Sequence, residues 1–408
     1  MLRSMNSAIA GLRAHQTKLD VTGNNIANVN TVGYKSSTTV FEDTLSQVMR
    51  NGSAPTAQAG GTNPAQIGLG VKVAGITTNF EQGAAQTTGR STDFMISGDG
   101  FFVTQAGNEQ LYTRAGSFSY DAAGNLVTPE GAQLQGWMAT DGVVDTNAPI
   151  RTLTVPFGDV MQPTETDTGA VVGNLSSAAA TNTGVQTQMT MYDALGKAHQ
   201  ISLSFTKTGD NNWSVVARDE NNAVLASTAG PLAFDPVTGT LPPASRTFQI
   251  TPDASMAASW PGQITIDLAD LRQFGGPSGL TPARVDGNAM GSLQSIALSG
   301  DGTVMGVYSN NLREPIGKLA LATFANPGGL AKAGNSSFRV GDNSGQPAIG
   351  EPGGGGRGTL VAGALEMSNV DLAEEFTGLI VAQRGFQANS RVISSSDEVL
   401  QDLVNLKR

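Results

Sequence analysis

The two ends of the chain carry apolar residues at steps of three and four, and they enclose a middle that holds all 18 prolines. At the N-terminal end the stripe consists of Leu2, Met5, Ile9, Leu12, Leu19 and Ile26. At the C-terminal end it consists of Leu372, Phe376, Leu379, Phe386, Ile393, Leu400 and Val404. A stripe this narrow is what one helix buries against another. The spacing predicts two long terminal helices that pair within the chain or with other copies, and the alternative is a pair of surface helices on a globular domain.

Local chemistry predicts where these helices begin and end. The first helix is expected from about residue 4 to about residue 22, with Gly23 as its stop. The second is expected from about residue 370 to about residue 406, because Ser368 and Asp371 have the spacing of a capping box. Glu374 and Glu375 then place negative charge in the first turn, where the helix dipole favours it.

The middle of the chain alternates short β-prone runs with glycine, asparagine and aspartate turn signals, which predicts hairpins. The predicted strands lie at 101–103, 111–113, 126–127, 188–192, 200–205, 213–217, 263–268, 295–298 and 304–308. The fold class is therefore multidomain and mainly β, with long N- and C-terminal helices that form a coiled-coil-like inner domain.

A nested arrangement of domains keeps each core intact if the ends of an insert lie close together. We expect residues 1–30 and 366–408 to form the helical domain and residues 31–70 to be a connector. An inner β domain is expected from 71–155 and 285–365, with an outer β domain, 156–284, inserted into it.

Composition removes several classes of function. The formal charge is −10, so no basic field is available to replace counterions on nucleic acid. No stretch has the roughly 20 apolar residues of a membrane span. The chain has no cysteine, which removes disulfides and thiolate metal sites, and it begins without the apolar core of a cleavable signal peptide.

Sequence patterns for catalysis, cofactors or metals are not evident. The two histidines, His15 in the first predicted helix and His199 in a predicted turn, are expected to be packed or solvated. The run Gly353–Gly356 lacks the lysine and the strand–loop–helix setting of a phosphate-binding loop, so we interpret it as a joint. We expect no enzyme activity.

Two terminal motifs carry a resemblance to a known family. The first, in residues 24–35, includes Asn24, Asn25, Ala27, Asn28, Gly33, Tyr34 and Lys35. The second includes Ser368, Asn369 and Asp371. With the segments 68–73, 93–102 and 363–366, these motifs resemble the bacterial flagellar axial proteins of rod and hook. The size of the insert at 156–284 resembles hook subunits more than rod subunits.

The resemblance implies a function and partners. It implies a helical homopolymer in which the terminal stripes are the interface and the subunits form a curved, flexible tube between rod and filament. It further implies contacts with a distal rod protein, a hook cap protein, a hook–filament junction protein and the flagellar type III export apparatus, and export without a cleaved signal. A distal rod subunit, or a secreted β-rich adhesin or carbohydrate-binding protein, are the alternatives.

Overall fold

The computed structural model describes residues 2–55, 60–228, 230–252, 260 and 262–405. The side chains of Leu2 and Val404, which belong to the predicted stripes, lie outside the described residues.

Two helices begin and end the described chain. Helix α1 is Leu2–Ala27 and helix α2 is Leu372–Asn405, so the prediction of long terminal helices is confirmed. The predicted stop at Gly23 is wrong, because α1 continues for another turn. A Cβ at Gly23 would meet no atom within 4 Å, so nothing in the packing requires the chain to leave the helix there. The contacts of Asn25, described below, hold this last turn in place and outweigh the weak helix propensity of glycine.

The described secondary structure between the helices consists of two 3₁₀ turns, Pro243–Ser245 and Pro327–Gly329, and of many strands, as the turn-rich sequence predicts. In chain order they are β1 Ser37–Asp43, β2 Ser46–Arg50, β3 Ala65–Gly68, β4 Val71–Thr78, β5 Ala85–Thr87, β6 Phe94–Ser97, β7 Phe101–Ala106, β8 Glu109–Thr113, β9 Ser119–Tyr120, β10 Leu126–Val127, β11 Gln133–Thr140, β12 Val143–Val144, β13 Arg151–Thr152, β14 Val160–Met161, β15 Thr168–Asn174, β16 Gly184–Tyr192, β17 Ala198–Gly209, β18 Asn212–Arg218, β19 Val224–Ser227, β20 Leu232–Ala233, β21 Thr247–Ile250, β22 Ile264–Asp267, β23 Leu271–Arg272, β24 Gly279–Val285, β25 Gly291–Leu298, β26 Thr303–Tyr308, β27 Arg313–Leu319, β28 Leu321–Thr323, β29 Ala331–Gly334, β30 Ser337–Arg339, β31 Ala348–Gly350, β32 Thr359–Ala362 and β33 Ala364–Glu366.

The chain divides into two compact units. Unit 1 comprises Met1–Pro156, Ile296–Met305 and Glu314–Arg408, and unit 2 comprises Phe157–Ser295 and Gly306–Arg313. The four-part division expected from the sequence is finer than this one and stays a prediction.

Unit 1 is organised around an antiparallel sheet in which β27, β11, β7, β8, β30 and β29 are successive neighbours. Its core is aromatic, with edge-to-face contacts between Phe101 and Phe324 and between Tyr112 and Phe324. Two further strand pairs, β5 with β33 and β6 with β32, attach the segment before α2 to the segment before the sheet. Several of these strands, including β6, β7 and β33, are continuous buried runs rather than alternating ones, as is typical of strands inside a core.

The predicted connector at 31–70 is more ordered than expected. Strand β1 pairs with β4, and β2 pairs with β3, both antiparallel. The β2–β3 hairpin is exposed along its whole length. The sequence does not mark these strands clearly, because large apolar residues are adjacent instead of alternating with polar ones, as with Val40 and Phe41 in β1 and Val48 and Met49 in β2.

Unit 2 contains two five-stranded sheets. One has the order β21-β22-β15-β23 with β24 also paired to β15, and the other has the order β16-β17-β18-β19 with β20 also paired to β18. Their apolar faces form one core that includes Phe205, Trp213 and Trp260. His199 was expected in a turn, but it lies in β17. Its side chain is buried there, and its Nε2 is 3.3 Å from Asp193 Oδ2. The glycine-containing turn ends at Lys197, two residues earlier, because the side chain of Asp193 accepts the backbone N–H of Lys197.

Candidate functional site

Helices α1 and α2 pack against each other in antiparallel directions. Three contacts show this direction. Gly11 lies against Asn389, His15 lies against Gly385, and Asn25 donates to Glu375. Residue numbers therefore rise along α1 as they fall along α2. A Cβ on Gly385 would lie 2.5 Å from the imidazole of His15, and one on Gly11 would lie 2.9 Å from the amide of Asn389. The helices approach closely at these points only because glycine is present on one of them.

Small residues line the centre of this contact. Ala8 and Ala14 of α1 and Ala382 of α2 are buried, and the predicted stripes lie beside them. The stripe residues that are half-buried are Met5, Ile9, Leu12, Leu19, Ile26, Leu379, Phe386, Ile393 and Leu400. Leu372 and Phe376 are 40% and 52% exposed. A contact of small residues was not expected from the heptad steps, because alanine and glycine do not stand out in a search for large apolar side chains.

The first motif continues from α1 into a polar junction centred on Asn25. The Asn25 amide donates to the Ser37 carbonyl (2.8 Å) and to Glu375 Oε1 (2.6 Å). Its Oδ1 accepts from the Ser37 amide and the Tyr34 hydroxyl, both at 3.0 Å. Burial, and then the charge of Glu375, raise the pKa of Tyr34 above its usual value, so the phenol remains a donor. One side chain therefore joins α1, β1 and α2.

A buried ion cluster lies next to this junction. Lys35 Nζ is 2.7 Å from Glu366 Oε1 and donates to the Glu81 carbonyl at 2.6 Å, while Arg114 Nη1 is 3.3 Å from Glu366 Oε2. Lys35 and Glu366 have fully buried side chains, and Arg114 is 3% exposed. Burial lowers the pKa of Lys35, and the hydrogen bond and charge of Glu366 oppose that shift. The carboxylate of Glu366 is thus the shared partner of two buried cations.

The second motif closes the junction from the C-terminal side. Asn369 Oδ1 accepts from the Ser36 amide at 2.8 Å, and its Nδ2 donates to the carbonyls of Asn79 (3.0 Å) and Glu81 (3.1 Å). The predicted capping box at Ser368 is wrong in detail. Asp371 itself is the N-cap, because its Oδ1 accepts from the amides of the second and third helical residues, Ala373 at 2.7 Å and Glu374 at 3.2 Å. Ser368 Oγ instead accepts a longer bond from the Val370 amide (3.4 Å).

The remaining residues of the first motif shape the turn after α1. Asn28 Nδ2 donates back to the Asn24 carbonyl (2.9 Å), and Asn24 Nδ2 donates to the Tyr34 hydroxyl (3.0 Å), just beyond the last helical residue, Ala27. Gly33 has a φ of +66°, and a Cβ there would lie 2.4 Å from the Ala115 amide nitrogen. The asparagines, Gly33, Tyr34 and Lys35 of the motif therefore all contribute to the local structure, whereas Ala27 is exposed.

The pair of Glu366 and Arg114 was not predicted from the sequence. Glu366 could have been found, since it ends the segment 363–366 that resembles the family and is charged among small residues. No pattern marks Arg114, which lies just beyond β8 and contacts Glu366 only through the fold.

We looked among the described residues for other groups that could act in catalysis, metal binding or membrane insertion. The ring of His15 lies 5.7 Å from that of Phe41, edge to face, and its Nδ1 is buried without a hydrogen-bond partner. Over the described ranges, no group of three or more side chains is arranged to ligate a metal ion. Among the described residues, no helix is both long enough and apolar enough to cross a membrane.

Four family models match the chain in succession. They are the flagella basal body rod protein model at residues 5–35, the flagellar hook protein FlgE/F/G D1 domain at 95–172, the flagellar basal body protein FlaE D2 domain at 164–288 and the flagellar basal body rod FlgEFG protein C-terminal model at 361–406. The first and last cover the two terminal motifs, which therefore occur together in one family.

Full-length relatives show the same assignment. The chain is 38% identical to the flagellar hook protein FlgE of Borreliella burgdorferi, with all of both chains covered. It is 33% identical to the flagellar basal-body rod protein FlgG of Bacillus subtilis, again with all of both covered. The crystal structure of Helicobacter pylori flagellar hook protein FlgE2 superposes with a TM-score of 0.54 at 15% identity, covering 69% of this chain and 100% of that one, and supports the mainly β fold.

Proposed function

Because this chain belongs to the flagellar hook protein family and is a structural subunit of the bacterial flagellar hook, we propose that its terminal helices build the polymer and that the polymer is a curved, flexible tube. In this proposal the tube couples the rod to the filament for motility. The observation that carries it is the helix pair, which contacts itself through small residues and leaves its large apolar side chains half-buried or exposed. Neighbouring copies supply the missing partners.

The terminal helices form a coiled-coil-like inner layer in this proposal. The stripe residues at its borders, including Phe386 and Ile393, pack against helices of other copies, and burial of their apolar surface drives assembly. The interface is heterologous and does not close, as a helical polymer requires. The β regions form outer layers that move relative to neighbours as the tube bends.

We also propose the partners that the resemblance implies. These are a distal rod protein below, a hook–filament junction protein above, a hook cap protein during growth, and the flagellar type III export apparatus, which exports the chain without cleaving a signal. The family is one of structural proteins, and we propose that this member has no enzyme activity and no cofactor.

The domain limits given by the sequence are part of the proposal: helical 1–30 and 366–408, connector 31–70, inner β 71–155 and 285–365, and outer β 156–284. Limited proteolysis of the monomer is expected to trim both ends first and to leave a resistant fragment of residues 71–362. Simultaneous loss of the ends and the middle would contradict these limits.

The assembly role is tested by Phe386→Asp. We expect this variant to retain its β structure and to form no tubes on concentration, because an unpaired carboxylate in an apolar contact costs on the order of several kcal/mol. Glu374→Gln is the control, since Glu374 is exposed on the first turn and its loss weakens only the helix-dipole interaction, by about 0.3–1 kcal/mol. Glu375 is unsuitable as a control because it accepts the bond from Asn25.

Negative-stain imaging and circular dichroism separate the outcomes. Normal tubes from Phe386→Asp would remove this residue from the interface, and loss of β structure would place it in a folded core. Straight tubes from the wild type would support a rod subunit, and monomers that bind glycans after removal of both helices would support an adhesin.

A further inference from the structure

We propose that the junction between the two terminal motifs closes covalently. The side-chain amine of Lys35 attacks the side-chain amide carbon of Asn369, and the two residues become joined by an isopeptide bond. The bond links the segment after α1 to the segment before α2 within one chain. It needs only the folded monomer, so it does not depend on the proposed polymer.

The two reacting side chains are bound to one acceptor. Lys35 Nζ donates to the Glu81 carbonyl oxygen at 2.6 Å, and Asn369 Nδ2 donates to the same oxygen at 3.1 Å. Groups that share an acceptor are neighbours, and held groups react readily once the reacting atoms are about 3–3.5 Å apart. In this proposal, rotation about the last bonds of the Lys35 side chain turns Nζ from the carbonyl toward Cγ of Asn369.

The amide of Asn369 is oriented and polarised for this attack. Its Oδ1 accepts the backbone N–H of Ser36 at 2.8 Å, and its Nδ2 donates to the carbonyls of Asn79 and Glu81. The oxygen therefore faces a donor and the nitrogen faces two acceptors, which fixes the orientation of the amide. A fixed donor at Oδ1 stabilises the negative charge that develops on this oxygen when an amine adds to Cγ.

The setting of Lys35 favours the neutral amine, which is the nucleophilic form. Its side chain is fully buried. Burial lowers the pKa of Lys35, the hydrogen bond and charge of Glu366 oppose that shift, and the charge of Arg114 adds to it. Arg114 Nη1 is 3.3 Å from Glu366 Oε2, so the carboxylate keeps a counter-ion when Lys35 has lost its proton. A desolvated lysine beside another cation is an activated nucleophile.

Glu366 is placed to move the proton. Its Oε1 lies 2.7 Å from Lys35 Nζ. After Nζ has added to Cγ of Asn369, the carboxylate takes a proton from Nζ and delivers it to Nδ2, and the bond between Cγ and Nδ2 breaks to release ammonia. One C–N bond forms and one breaks, nothing is oxidised or reduced, and the reaction needs no co-reactant.

The mass of the intact, full-length protein tests the bond. The protein is folded, then denatured and measured, and we expect a mass lower than that of the sequence by one molecule of ammonia. Trypsin does not cleave after a linked lysine, so the peptide of residues 19–50 is expected to be joined to that of residues 358–384. Folded protein with the full sequence mass and without this linked pair would overturn the proposal.

Variants of the two reacting residues identify the bond. Lys35→Arg and Asn369→Leu are expected to keep the full mass, because a guanidinium does not lose its proton and leucine has no amide to attack. Lys318→Arg is the matched control. Lys318 also lies 2.8 Å from a carboxylate, that of Glu351, but it is outside the junction, so this variant should lose ammonia as the wild type does.

Two other results would count against the proposal. Loss of ammonia that persists in Lys35→Arg would indicate a cyclic imide, for example between Asn51 and Gly52, and not an isopeptide bond. A folded Glu366→Gln variant that still forms the linked peptides would show that the carboxylate does not carry the proton. If Glu366→Gln does not fold, the wild-type mass decides. Because the mass is measured on the monomer, a missing bond would leave the proposed polymer untouched.

Discussion

Unit 2 and the terminal helix pair handle their apolar side chains in opposite ways. In unit 2, Phe205 and Trp213 are fully buried in a core that the unit completes alone. In α2, Phe376, Ile380 and Val381 are each at least half exposed. Apolar surface kept inside a unit stabilises that unit, whereas surface left outside becomes stable only when another molecule covers it. The first region is built for folding and the second for assembly.

A matched pair of phenylalanine substitutions, one in each region, tests this difference most directly. Phe205→Ala is expected to lower the free energy of unfolding of unit 2 by about 3–5 kcal/mol, because it leaves a cavity in the core. Phe376→Ala is expected to change monomer stability by less than about 0.5 kcal/mol and yet to raise the concentration needed for tubes. Urea unfolding followed by tryptophan fluorescence, with imaging of assembly, measures both. Similar losses of monomer stability in the two variants would refute the distinction.

The buried ion cluster of unit 1 allows a second test, which compares a buried charge with one at the surface. Glu366→Gln is expected to lower the free energy of unfolding by about 3 kcal/mol, because it leaves the buried ammonium of Lys35 and guanidinium of Arg114 without a counter-charge. Glu351→Gln is the control, since its pair with Lys318 is at the surface and is worth under about 1 kcal/mol. Thermal unfolding of both variants provides the measurement, and equal melting temperatures would mean that the cluster adds no stability.

Two glycines of α2 test the close approach of the helices. Gly385→Ala is expected to destabilise the helix pair by about 1–3 kcal/mol, because the added methyl would overlap the ring of His15. Gly378→Ala meets no atom within 4 Å, so it should stabilise the helix by about 0.5–1 kcal/mol through propensity alone. The helical signal in circular dichroism during heating separates them. If both variants gain stability, α1 does not contact α2 at Gly385.

The smallest expected effect is a pH dependence of the helix pair. Burial, and then the charge of Lys18, lower the pKa of His15 below its ordinary value of 6.5, so the folded pair favours the neutral ring. The unfolded chain therefore binds the proton more readily than the folded one. The contribution of His15 to the free energy of unfolding is fully present above pH 6.5, and it decreases as the pH falls from 6.5 toward the lowered pKa of the folded state. His15→Gln should flatten this dependence between pH 7 and 5. An unchanged slope in His15→Gln would assign the effect to another group.

Much of the assembly region could be predicted from the sequence, because helix periodicity and capping chemistry are local. The steps of three and four located both helices, and the acidic first turn at Glu374 and Glu375 located the start of α2 to within two residues. Strand positions in unit 2, such as β17 and β18, also follow from local alternation. The motif residues Asn25, Lys35 and Asn369 were identified by resemblance, while their roles were not.

Only the tertiary structure decided what those residues contact. Glu366 and Lys35 are 331 positions apart, Asn25 and Glu375 are 350 apart, and no periodicity in one chain relates such distant positions. The small-residue centre of the helix pair has the same cause, because Gly385 is required only by the ring of His15 on the other helix. The sequence by itself determined which segments become helix, strand and turn, since those preferences lie in neighbouring residues. The fold decided which apolar and charged side chains find partners inside the chain and which remain for other copies, since burial depends on residues that meet only after folding.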